Sequence, residues 1–126
     1  MRPTELRSYK DLDVWRLAMD LAVDVYQATK SLPREELYGL TGQMRRASTS
    51  IAANIAEGYG RESTPMFLQF LRIAQGSSKE LETHVMIAQR VELLPEATAQ
   101  ALIAKGDDVG KMLRGLIRSL EAKTRS

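Results

Sequence analysis

Hydrophobic positions along the chain recur at the three-to-four-residue spacing of helices, and no segment alternates with period two. Four helices are predicted, over about 12–31, 38–58, 64–92 and 95–123. Asp11 or Asp13 is placed to N-cap the first, and Leu32-Pro33 stops it. Gly58-Tyr59-Gly60 ends the second as a glycine C-cap would. Ser63-Thr64-Pro65 restarts the chain, a hydroxyl cap followed by proline in the first turn, and Pro95 opens the fourth helix. Long helices joined by short connections pack as antiparallel neighbours, so the expected fold is all-α, an up-and-down four-helix bundle forming one domain over 1–126.

The four faces are not alike. Helix 4 carries one narrow stripe, Leu102, Val109, Leu113, Leu116, Ile117 and Leu120, as an outer helix of a bundle requires. On helix 1, Val14, Trp15, Leu17, Ala18, Met19, Leu21, Ala22, Val25, Tyr26 and Ala28 cover roughly 200°, where a core-facing stripe needs about 100°. Helix 2 places Leu40, Met44, Ala47, Ile51 and Ile55 on one side and the small residues Thr49, Ala52, Ala53 and Ala56 on another. From Ala47 to Gly60 its only charge is Glu57. A bundle this small cannot bury two helices all round, so the surplus predicts a homo-oligomer interface. Trp15, Met19, Tyr26, Thr49, Ala52, Ala53 and Ala56 are its candidates.

Polar residues also follow helical spacing. Gln43, Arg46, Ser50, Asn54 and Glu57 line one edge of helix 2, while Ser77, Glu80 and His84 fall within the apolar arc of helix 3. Gln43, Arg46, Ser50, Asn54, Glu57, Ser77 and Glu80 are therefore expected to form a polar network that sets helix register, with Arg46 or Asn54 reaching Ser77, Glu80 or Glu82. A catalytic site is the weaker reading, because no nucleophile stands beside a base. His84 is the sole histidine; with Glu80 one turn away it supplies half of a metal site, and a di-iron bundle needs far more. It is expected to be a structural histidine, and neither a metal nor a cofactor is expected. Gly106 and Gly110 form a GxxxG, but Asp107 and Asp108 between them exclude a membrane role, leaving close packing or a weakened helix.

Composition narrows the setting. The chain has no cysteine, so disulfides and thiol chemistry are absent, and no apolar run approaches membrane-spanning length. Met1 to Glu5 leads into no apolar stretch, so no signal peptide is expected and the location expected is cytoplasmic. The net charge of +2 is unremarkable as a total, yet the segment from Val109 to Ser126 holds Lys111, Arg114, Arg118, Lys123 and Arg125 against Glu121 alone. Lys111, Arg114 and Arg118 share the face opposite the apolar stripe. They read either as a solvated face or as a surface for an anionic partner, with Arg45 and Arg46 as secondary nucleic-acid-binding candidates.

Particular segments look familiar. Asp11-Leu12-x-Val14-Trp15, Leu32-Pro33-x-Glu35-Glu36-x-Tyr38-Gly39-Leu40 and Gln43-Met44-Arg45-Arg46-Ala47 come first. Ser50-Ile51-x-x-Asn54-Ile55-Ala56-Glu57-Gly58, Phe67-x-x-Phe70-Leu71 and Ala74-x-Gly76-Ser77-x-x-Glu80-x-Glu82 follow. In this order they resemble the four-helix-bundle proteins encoded in intervening sequences of bacterial 23S rRNA genes, relatives of the accessory variability proteins of diversity-generating retroelements. The likeness covers about residues 9–120 and departs at Val91-Glu92-Leu93-Leu94, where many members have a glycine and an aromatic. It implies a ring-like homopentamer without enzymatic activity. For the retroelement members it also implies a basic surface that binds nucleic acid and a reverse transcriptase.

Two readings lead: an oligomeric RNA- or DNA-binding accessory factor, and an oligomeric protein-interaction scaffold whose charge is incidental. An enzyme is the weakest reading, for want of an acid–base pair.

Overall fold

The structure, a computed structural model, describes residues 8–125; residues 1–7 and 126, and the side chain of Arg125 counted in the basic C-terminal segment, lie outside that description. Four helices follow one another: α1 (Asp13–Thr29), α2 (Leu40–Gly60), α3 (Thr64–Arg90) and α4 (Glu96–Arg125). No strand occurs among the described residues. Short 3-10 turns at Tyr9–Asp11 and Arg34–Glu36 precede α1 and α2.

Local chemistry explains where the observed bounds differ from the expected ones. Neither Asp11 nor Asp13 caps α1. The Ser8 hydroxyl accepts from the Lys10 amide at 3.1 Å and the Asp11 carboxylate accepts from the Ser8 amide at 3.3 Å, a capping box one turn earlier. Asp13 is the first residue of α1, whose N-cap position is Leu12 with no side-chain cap. At α2, the Glu36 carboxylate accepts from the Leu40 amide at 3.3 Å, so the helix begins there rather than at Tyr38. Ser63 caps α3 by accepting from the Met66 amide at 3.4 Å, with Pro65 in the first turn.

The expected glycine cap of α2 is absent. The helix runs on through Gly60, and the residue with a left-handed backbone is Glu62, at φ 56°; no described glycine has positive φ. Gly58 serves a different purpose. A β-carbon there would stand 2.6 Å from Phe70 Cβ and 3.1 Å from Phe67 Cδ1, so its absence lets α2 and α3 come together. Glu92, at φ 63°, makes the corresponding turn after α3.

α1 packs on α2 and α4, and α3 packs on α2 and α4, with no close backbone approach across either diagonal. The helices therefore stand at the corners of a square, with the α1/α2 and α3/α4 edges on opposite sides. Leu21, Val25, Met44, Ile51, Ile55, Leu71, Val85, Val109 and Leu113 fill the centre and are fully buried. Outside it, Lys105 on α4 pairs with Asp24 on α1, and Arg72 on α3 pairs with Glu121 on α4.

Candidate interaction surfaces

The surplus apolar arc of α1 and the small-residue side of α2 meet in one place. Trp15, Met19, Tyr26, Thr49, Ala52, Ala53 and Ala56 all line a single shallow groove of about 440 Å³ between the two helices. Met19 is 41% exposed, Tyr26 42% and the neighbouring Val23 53%, so the groove is apolar and open to solvent. Small residues on α2 make the trough, and Trp15, held edge-on against Tyr9 at 5.2 Å between ring centres, closes one end. Tyr9, Ala22, Val23 and Gln27 also line it. Ala22 belongs to the helix-1 arc read from the sequence; Val23 was not assigned to it, and Tyr9 precedes that helix and carried no signal.

The polar stripe contracts on folding. Ser50 Oγ and Ser77 Oγ lie 2.8 Å apart across the α2/α3 seam, and Asn54 Nδ2 donates to the Ser50 carbonyl at 2.8 Å and to its hydroxyl at 3.0 Å. The cross-helix contact is thus made by Ser50, and Asn54 supports it from within α2. Gln43, Arg46, Glu57 and Glu80 are exposed instead, with Glu57 paired to Arg61 one turn on. A helical wheel gives the direction of a side chain but not how far its tip extends past the seam, so longer polar chains at the same angle reach water. His84 is half-buried, and its Nε2 atom has no hydrogen-bond partner among the described residues.

The two secondary basic candidates differ. Arg45 is engaged inside the protein: its Nε donates to Thr29 Oγ1 at 2.9 Å and its guanidinium sits 4.7 Å from the Tyr26 ring centre. Thr29 in turn donates to the Val25 carbonyl at 2.8 Å, so Arg45 fastens the end of α1 to α2. Arg46 is exposed.

Lys111, Arg114 and Arg118 are exposed on α4, and among the described residues none forms an ion pair, either with Asp107 and Asp108 or with Glu121. Lys111 and Arg114 line a second groove, of about 470 Å³, between α3 and α4. Gly106 and Gly110 line it as well. A β-carbon at either meets nothing within 4 Å, so the GxxxG is not a close-packing motif here but leaves open space. Arg72 and Lys79 on the facing wall were not singled out from the sequence, and Gly76 stood there only within a segment of resemblance, since only the antiparallel pairing of α3 with α4 brings them opposite Lys111 and Arg114.

No described helix is long and apolar enough to cross a membrane, and no group of three or more His, Asp or Glu side chains is placed to hold a metal ion among the described residues.

Residues 10–115 match the model of a family described as 23S rRNA-intervening sequence protein. Among solved structures, one protein of unknown function from Bacteroides thetaiotaomicron VPI-5482, assigned to the S23 ribosomal protein family, superposes with a TM-score of 0.78. It is 25% identical, and the match covers 83% of this chain and 95% of that one. No curated protein matches the chain.

Proposed function

The chain belongs to the 23S rRNA-intervening sequence protein family, and from that premise we propose that it is a non-enzymatic, homo-oligomeric accessory factor that binds nucleic acid. The observation that carries the proposal is the placement of two unlike surfaces. An exposed apolar groove on α1/α2 wants a protein partner, and a row of exposed cations on α4, without ionic partners among the described residues, wants an anionic one.

Self-association fits the first surface. A closed ring is heterologous, so the groove must receive a different patch of the next copy. Ile73 and Ile87 on α3 and Val91 just past its end are 45%, 42% and 55% exposed and supply apolar contacts of the required kind, with Ser77, Glu80 and His84 between the two isoleucines on the same side. The likeness to the accessory variability proteins supports a pentamer, and a reverse transcriptase is then a protein partner of the same class. Three cations per copy make weak contact with a phosphate backbone, but repetition around a ring multiplies them at high effective concentration.

The test is an anisotropy titration against structured RNA and duplex DNA at low and moderate salt. Binding at micromolar concentration, falling steeply with salt, is expected for the wild type, and loss of binding for Lys111→Glu/Arg114→Glu/Arg118→Glu. Equal binding by the charge-reversed variant overturns the basic-row mechanism. If the wild type binds neither ligand, the protein is a scaffold for protein partners.

A further inference from the structure

We infer that the groove between α3 and α4 seats an unpaired nucleotide of a single nucleic-acid strand, with its base between the helices and its phosphates on the basic rim. The inference rests on the nucleic-acid reading above and adds to it a seat and a preference. The groove's volume of about 470 Å³ lies within the range of small-ligand sites. Its floor is aliphatic: Leu81, Val85 and Leu102 are buried, and Ile103 is half-buried beside them. Its rim is basic, with Arg72, Lys79, Lys111 and Arg114 against the acids Glu82 and Asp107.

Two of those cations are already engaged, Arg72 with Glu121 and Lys79 with Glu82 at 3.9 Å. Lys111 and Arg114 have no ionic partner among the described residues and lie next to the open glycine wall. Glycine at 76, 106 and 110 leaves flat backbone where side chains would otherwise fill the gap, and a β-carbon at any of the three meets nothing within 4 Å. A flat apolar plate bearing a negative charge matches such a slot. An unstacked nucleotide meets that description, its base the plate and its phosphate the charge, and the Arg114 guanidinium offers the base a plane to stack on. A duplex presents phosphates but keeps its bases inside, so the apolar floor would go unused. The groove also lies across the bundle from the α1/α2 groove, so a copy seated in the latter does not itself cover it.

The glycines allow a test that leaves every charge in place. Gly106→Leu/Gly110→Leu fills the slot from α4 and Gly76→Leu fills it from α3; leucine favours a helix more than glycine does, so each variant should fold and assemble as the wild type does, checked by circular dichroism and light scattering. The probes are oligouridylate, its duplex with oligoadenylate, uridine monophosphate and an oligoglutamate peptide. Expected are tighter binding of oligouridylate than of the duplex, and a loss of about ten-fold or more for oligouridylate in either plugged variant, with duplex binding unchanged. If the plugged variants keep oligouridylate while the α4 charge reversal loses it, the groove is wrong and the basic surface stands. If uridine monophosphate binds as tightly as the strand, the site serves a free nucleotide and the strand assignment falls. Oligoglutamate binding as tightly as oligouridylate, and lost with it on plugging, assigns the groove to an acidic peptide instead. If the wild type binds neither oligouridylate nor duplex, the nucleic-acid reading fails and this inference with it.

Discussion

Glu62 and Glu92 hold backbone angles that glycine tolerates best, at φ 56° and 63°. Each follows the end of a long helix, where the chain must reverse direction. A side chain in that conformation costs about 1 kcal/mol, so Glu62→Gly and Glu92→Gly should each raise stability by roughly that amount in urea denaturation. A lowered midpoint in both would count against the strain. The Ser50–Asn54–Ser77 cluster is the other residue-scale feature with a measurable weight. A double-mutant cycle on Ser50→Ala and Ser77→Ala should return a coupling of about 1 kcal/mol, the usual worth of a neutral hydrogen bond, and Asn54→Ala should cost about the same. Additive single effects would mean that the two hydroxyls are independent.

Among the elements, the α2/α3 pair depends on one missing methyl group. Gly58→Ala puts a β-carbon 2.6 Å from Phe70 Cβ, and neither backbone can move without disturbing Ile55 and Leu71 behind it. Overpacking of this kind should cost about 1–3 kcal/mol. Gly60, two residues on, meets nothing within 4 Å, so Gly60→Ala should be neutral or stabilising by up to about 1 kcal/mol. Opposite signs in thermal melts of the two variants are the expected outcome; equal effects would show that glycine here matters for backbone freedom and not for close approach. Both glycines were read from the sequence as a single helix stop. Gly58 can be told from Gly60 only by the helix that crosses it, because the spacing that makes a C-cap also makes a notch.

For the molecule as a whole, the decisive surface is the α1/α2 groove. Ala53 is exposed and Ala56 half-buried in the single chain, so glutamate at either position should leave the bundle folded. In an assembly the same charge would be stranded in a dry apolar contact, at a cost that separates the copies. Light scattering of Ala53→Glu or Ala56→Glu should therefore report 14.1 kDa with unchanged helicity, while the wild type reports a multiple of that mass. A wild type that is itself 14.1 kDa at micromolar concentration would remove the assembly from consideration.

The number of helices, their order and seven of the eleven residues lining the α1/α2 groove follow from the sequence alone, since 3.6-residue periodicity converts spacing directly into a shared direction. So does the exposure of Lys111, Arg114 and Arg118, which lie opposite a well-defined apolar stripe on their own helix. Tertiary structure alone decided what depends on distance between helices. It reduced an expected seven-residue polar network to Ser50, Asn54 and Ser77, because only short side chains end at the seam. It committed Arg45 to Thr29 and Tyr26, and it set Gly76 across from Gly106 and Gly110 to open the α3/α4 groove. Periodicity along one helix records which way a residue points; what it meets there is a property of the neighbouring helix.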